Sequence, residues 1–159
     1  MVIKVENNFL DNDFFWELCK LISDFSFPWY PDTHNDLVHN LIYKSELQKE
    51  NSFYAPKILD PLIVKLNAKK VLSSKLILNF ISCGIEYLPI MEEKIDVNNK
   101  AIRGFLCINT CNSEIDIVGV NKIPNVENRF ICFPKNNPYR ATTHTDKRSR
   151  IMLEIVYEI

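Results

Sequence analysis

The chain has no surplus of positive charge: 19 Lys and Arg stand against 20 Asp and Glu, for a net charge of -1. A protein that grips a nucleic-acid backbone needs a basic excess to neutralise phosphates, so nucleic acid is not an expected partner. Long apolar runs are also missing, and no stretch approaches the roughly 20 residues of a membrane span. The opening "MVIKVENNFLDNDFF" lacks a basic start followed by an apolar block, so no membrane partner and a cytoplasmic location, in a microbe or an infected host cell, are the expectation. The five cysteines, Cys19, Cys83, Cys107, Cys111 and Cys132, make an odd number with no C-x-x-C pair. Neither a disulfide framework nor a zinc ribbon fits that usage, and runs such as "GFLCIN" and "RFICF" read as buried, reduced thiols. Internal repeats and low-complexity tracts are absent. Only three glycines occur, amid many Asn, Lys and Ile, a composition associated with AT-rich genomes such as those of viruses or streamlined marine microbes.

What is present is enough for one core. A chain of 159 residues with 47% hydrophobic content supports a single domain, residues 1–159, and is short for two. In "DNDFFWELCKLISDF", Asp11 or Asn12 can cap a helix whose apolar stripe is Phe14, Phe15, Leu18, Leu21 and Ile22. The prolines of "SFPWYPDTHND" end it in an aromatic loop, and His39 in "LVHNLIY" is read as lying on a following helix. A further helix is predicted from about Pro56 to Lys69, with "SELQKENS" as a polar surface loop before it. From Ser74 the period becomes that of strands: "KLILNFIS", "AIRGFLCIN", "SEIDIVGV", "NRFICF" and "SRIMLEIVYEI". Helices first and an all-β core after them predict an α+β fold with an antiparallel barrel or jelly roll, its helices bracing one sheet.

A succession of short strings carries a more specific signal: "FPWYP", "HNLIY", "PKILDPLIVKL", "KLILNF", "KAIRGFLCINTCNSEIDIVG", "NVENRFICF" and "TTHTDKRSRIMLEIVYE". Their order resembles the small 2-oxoglutarate and Fe(II)-dependent oxygenases of phages and marine bacteria, which are similar to the catalytic domain of prolyl hydroxylases. The likeness runs from about Phe25 to the end of the chain. It implies a double-stranded β-helix and, as cofactors, Fe(II) and 2-oxoglutarate. The family's metal is held by two histidines and a carboxylate on one face, which leaves open positions for the oxoacid and oxygen. The first two ligands come as His-x-Asp on one strand, the spacing that puts both side chains on one face. A basic residue about ten positions beyond the distal histidine pairs with the far carboxylate of 2-oxoglutarate.

Carried onto this sequence, the resemblance places Asp96 at the carboxylate ligand and Arg150 at the 2-oxoglutarate carboxylate. Both histidine positions depart from the pattern: Lys94 stands two before Asp96, and Tyr139 stands eleven before Arg150. An ammonium has no lone pair for a metal, so Lys94 instead pairs with Asp96 in a charged row with Glu92, or the run "EEKIDVNNK" is simply a solvated edge. His144, in "TTHTDK", is a weak alternative ligand, because a hairpin-tip residue is expected to face solvent. His34 lies in the N-terminal loop, and His39 matches a family position that is not a ligand and is expected to pack a helix or form a hydrogen bond. Arg148 and Arg150 are expected on one face of the last strand. Arg150 there either holds a carboxylate or phosphate, or closes the pocket by pairing with Asp96 or Glu154.

Three readings follow. The first is a catalytically silent relative that binds a small anion or a protein. The second is an active hydroxylating dioxygenase with an atypical ligand set. The third is a virus-encoded structural protein that uses the aromatic loop "FSFPWYPD" for contact, unless Phe27, Trp29 and Tyr30 pack back on the barrel.

Overall fold

In the computed structural model the described residues are 3–32, 36–43, 46–48, 53–91 and 100–159. The order of elements is β1 (Lys4–Glu6), α1 (Asn12–Ser23), β2 (Tyr30–Pro31), β3 (Leu37–Tyr43), β4 (Glu46–Leu47), α2 (Tyr54–Leu66) and β5 (Lys70–Phe80). After them come β6 (Ile102–Cys107), β7 (Glu114–Ile117), β8 (Asn121–Pro124), β9 (Arg129–Pro134), β10 (Tyr139–Ala141) and β11 (Ser149–Glu158). The class is therefore α+β, mostly antiparallel sheet with two helices ahead of the main strands. None of the described helices is long and apolar enough to cross a membrane.

Local chemistry explains the helix ends. Asp11 caps α1, its side chain accepting from the Asp13 N–H at 3.0 Å, and Asp24 ends it by accepting from the Ser26 N–H at 2.8 Å. α2 begins two residues earlier than the spacing suggests. It stops at Asn67, whose left-handed backbone (φ 51°) lets the Asn67 and Ala68 N–H groups donate to the Val64 and Ile63 carbonyls.

Among the described residues, the larger sheet runs β1-β9-β6-β11-β5-β3-β2, with β4 paired to β3, and the smaller runs β10-β7-β8. Side chains alternate across the larger sheet. Leu41, Leu76, Leu106, Phe130, Leu153 and Ile155 meet Phe15, Leu18 and Ile22 of α1 and Ile58, Leu59 and Leu62 of α2 in one core. Phe105, Cys107, Ile131, Phe133 and Met152 face the other way, toward Ile115, Ile117, Ile123 and Tyr139 of the smaller sheet. Two sheets with an apolar cluster between them, and helices outside one of them, agree with the strand pattern. Residues 86–91 lie along the free side of β10, with the Leu88 N–H donating to the Ala141 carbonyl and Met91 opposite Tyr139.

One expected helix is absent. "LVHNLIY" forms β3, antiparallel to β5, and His39 sits opposite Leu76. Its apolar residues fit a helical and an alternating period equally well, and the free edge of β5 decided between them. In the aromatic loop Phe27 is buried and Trp29 packs on the core, while Tyr30 is exposed on one side and stacks on His39 with the other. All five cysteines are free, and Cys83 departs from the expectation by being exposed.

Candidate functional site

The larger sheet turns a row of polar residues toward the smaller one. On β11 the inward parity is Arg150, Met152, Glu154, and on β5 the residues opposite are Asn79, Ile77 and Lys75. β6 contributes Arg103, Phe105 and Cys107, of which Phe105 pairs with Glu154 and Cys107 with Met152.

Arg150 is 2% exposed. Its Nε and Nη2 donate to Asn79 Oδ1 at 2.9 and 2.5 Å, and Nη1 donates to the Thr142 carbonyl at 2.9 Å. These bonds use three of the five N–H groups of a guanidinium. Among the described residues no carboxylate lies within ion-pair distance of it. Burial pulls its pKa down, opposed by the more distant field of Cys111, Asp36 and Cys107, yet a guanidinium stays protonated in proteins. Of the two expected ion-pair partners, Asp96 lies outside the described residues, as do Glu92, Lys94 and His34. Glu154 is engaged elsewhere, for it is about 13 Å along the strand from Arg150. Its Oε1 is 2.9 Å from Arg103 Nε, and its Oε2 is 3.6 Å from Lys75 Nζ. Arg148 does not share the inward face; it precedes β11 and is exposed.

Tyr139 opens β10 and is 8% exposed. Its ring centroid is 5.2 Å from Phe105 and 5.6 Å from Phe133, and the Arg103 guanidinium lies 4.9 Å from it. At the place where the resemblance puts the distal histidine, the side chain is a phenol wedged between two phenylalanines and a cation. Such a ring adds packing and a cation–π contact.

His144 overturns the expectation of a solvent-facing tip. It is 0% exposed. The segment around it is strapped down: the Thr142 N–H donates to the Glu114 carbonyl, the Thr143 N–H to the Glu86 carbonyl, and the Ser82 N–H to the His144 carbonyl. The reversal toward β11 therefore begins only after residue 144. Neither ring nitrogen has a hydrogen-bond partner, although the Lys147 backbone is close enough to favour protonation slightly. Burial holds the imidazole below its ordinary pKa, helped by the positive charge of Arg150 and opposed by Asp146. His39, on the helix side, bonds the Pro28 carbonyl through Nδ1 at 2.6 Å, and burial lowers its pKa too.

Cys107 and Cys111 border the same end of the space. Burial raises the Cys107 thiol to about 12, so without a metal it stays protonated at neutral pH. Among the described residues no three His, Cys, Asp or Glu side chains converge as a metal site. Where the resemblance puts the distal histidine, the described residues offer a packed phenol, and the position it gives the carboxylate ligand lies outside them. Asn79, Arg103 and Lys75 were not singled out by the sequence, and Glu154 was expected only as a partner for Arg150. The signals of the first three are Lys75 and Asn79 in "KLILNF" and Arg103 in "AIRGFLCIN", and their partners depend on strand register.

No protein-family model matches the chain, and no curated protein matches its sequence. Solved structures do match it in fold. A Pseudomonas putida prolyl-4-hydroxylase is 12% identical with a TM-score of 0.64, over 98% of this chain and 91% of that one. A Trichoplax adhaerens prolyl hydroxylase, solved with a hypoxia-inducible-factor oxygen-degradation-domain peptide, is 10% identical with a TM-score of 0.70, over 98% and 83%. A Burkholderia pseudomallei oxidoreductase of the 2OG-Fe(II) oxygenase family is 10% identical with a TM-score of 0.66, over 98% and 84%. This chain therefore has the fold of the prolyl-hydroxylase-like 2-oxoglutarate/Fe(II) oxygenases. At these identities the likeness concerns fold, and function rests on the residues of the site.

Proposed function

We propose that this chain is a catalytically silent relative of those oxygenases, a double-stranded β-helix that binds a small carboxylate at Arg150 without iron. The observation that carries the reading is the environment of Arg150. A guanidinium 2% exposed, held by one amide oxygen and one carbonyl, keeps two N–H groups unused and has no described carboxylate within ion-pair distance, Asp36 acting on it only from further off. A buried charge without a counter-ion is costly, and a ligand carboxylate that accepts a forked pair of hydrogen bonds removes that cost. Asn79 fixes the plane of the fork, and Met152 and Ile77 are the next inward pair along the two strands. Loss of the iron follows from Lys94 and Tyr139 standing where the resemblance expects histidines. Tyr139, packed between Phe105 and Phe133, supports that reading on the side that is described.

The test is calorimetric titration with succinate and with 2-oxoglutarate in the presence of EDTA, for the wild type and for Arg150→Met. The wild type is expected to bind, and Arg150→Met to lose about 2 kcal/mol or more of affinity, at least thirtyfold. Equal affinity in the two proteins would remove Arg150 from the site and the reading with it.

A further inference from the structure

His144 is the second anomaly at this end of the barrel. A fully enclosed imidazole, with the Lys147 backbone near one ring nitrogen and no described partner for the other, leaves an acceptor unused, which native interiors rarely tolerate. It belongs to the same place as Arg150. Residues 142–144 pass the end of β5, where Arg150 donates to the Thr142 carbonyl and to Asn79, and Ser82 donates to the His144 carbonyl. The two side chains also feel each other's charge. Among the described residues, two sets of unused hydrogen-bonding groups, a guanidinium fork and a neutral imidazole, thus lie near one another.

Resting on the carboxylate reading above, we infer that His144 is a specificity-determining residue of the Arg150 site, which selects a hydroxycarboxylate over the same acid without its hydroxyl. Each unused group dictates its complement. The two open N–H groups of Arg150 call for a carboxylate. The N–H of the neutral imidazole is left to the Lys147 backbone, since the two ring nitrogens point apart and one small ligand meets only one of them. The remaining imidazole nitrogen accepts, so it calls for an O–H. An ammonium would satisfy that nitrogen as well, but it would stand beside the charge of Arg150, which disfavours amino acids. A site that bonds a ligand hydroxyl rejects the analogue lacking it, because its own buried group is then left unpaired.

The experiment titrates malate, succinate and inorganic phosphate, all with EDTA, into the wild type, His144→Phe, His144→Asn, His144→Gln and Arg150→Met. Wild type is expected to prefer malate to succinate by about five- to tenfold, the worth of one hydrogen bond. His144→Phe is expected to abolish the preference while the ligand-free protein melts no lower, because an unsatisfied polar group has been replaced by an apolar ring. The amide of Asn or Gln, which reaches the position of Nδ1 or Nε2, is expected to restore part of the preference in one of the two. Equal wild-type affinities for malate and succinate, or a preference that survives in His144→Phe, would overturn the inference while binding that depends on Arg150 keeps the carboxylate reading. Phosphate binding tighter than either acid would overturn the carboxylate class. Binding of none of the three, or binding indifferent to Arg150→Met, would overturn the reading on which the inference stands.

Discussion

Arg150 and the histidines show how far a single side chain is decided by its surroundings. "RSRIMLEIVYE" announces an inward arginine, because alternation in a strand places Arg150, Met152 and Glu154 on one face. The sequence could not tell which anion it would meet. Glu154 shares that face but answers to Arg103 and Lys75, a choice set by the register of β11 with β6 and β5. The expectation for His144 fails for a related reason: its six-residue separation from Arg150 suggests a tip, whereas hydrogen bonds from residues 142–144 to Glu114, Glu86 and Ser82 postpone the turn. Burial of His39 and His144 has a consequence for pH. Both imidazoles have folded-state pKa values below the unfolded one of about 6.5. Around His144 the charged groups are Arg150 and Asp146, the first lowering and the second raising its pKa. Above about 6.5 neither state is protonated and stability is complete. As pH falls from there through the folded pKa values, the unfolded chain takes up protons first, so stability declines. Urea denaturation at pH 7.5 and 5.5 is expected to give the lower midpoint at pH 5.5, and His144→Phe to reduce the difference without removing the share due to His39.

At the scale of elements, the late strands were legible and the early ones were not. β5, β6, β7, β9 and β11 coincide with the alternating runs, because each buries a face against a partner of similar length. β1, β2, β4 and β10 span only two or three residues and owe their existence to a neighbouring edge. β3 took its alternation from β5, with a register shift between Asn40 and Ile42 that blurs the period. Gly104 marks where the helix-side core is tightest. It lies in β6 opposite Ile155 and Cys132, and a Cβ there would run into the Phe130 ring and approach Ile155 Cγ2 at 3.3 Å. Phe130 cannot yield easily, since it is stacked on Phe9 with centroids 4.3 Å apart. Gly104→Ala is expected to cost about 2 kcal/mol in urea denaturation through overpacking, with carboxylate affinity unchanged because the site is on the opposite face. A loss of affinity at unchanged stability would contradict that separation of the two faces.

For the whole molecule, the near-neutral chain, the antiparallel sheets and the helices on one outer face were all expected from composition and period. The likeness to prolyl-hydroxylase-like oxygenases in fold agrees with the resemblance carried by the short strings. What the architecture leaves to the residues is whether the space between the sheets is an iron centre or a metal-free anion site. Asp96 and Lys94 bear on this from outside the described residues. Within them, the proposed anion site rests on the packed Tyr139 and on an Arg150 with no described carboxylate within ion-pair distance. An anaerobic titration with Fe(II) and 2-oxoglutarate, followed both by heat and by visible absorption, tests this most directly. The account predicts that 2-oxoglutarate binds with the same affinity whether or not Fe(II) is present, and that no metal-to-ligand charge-transfer band develops. A band that grows to one equivalent and is lost in Asp96→Ala would contradict it and establish a working oxygenase centre.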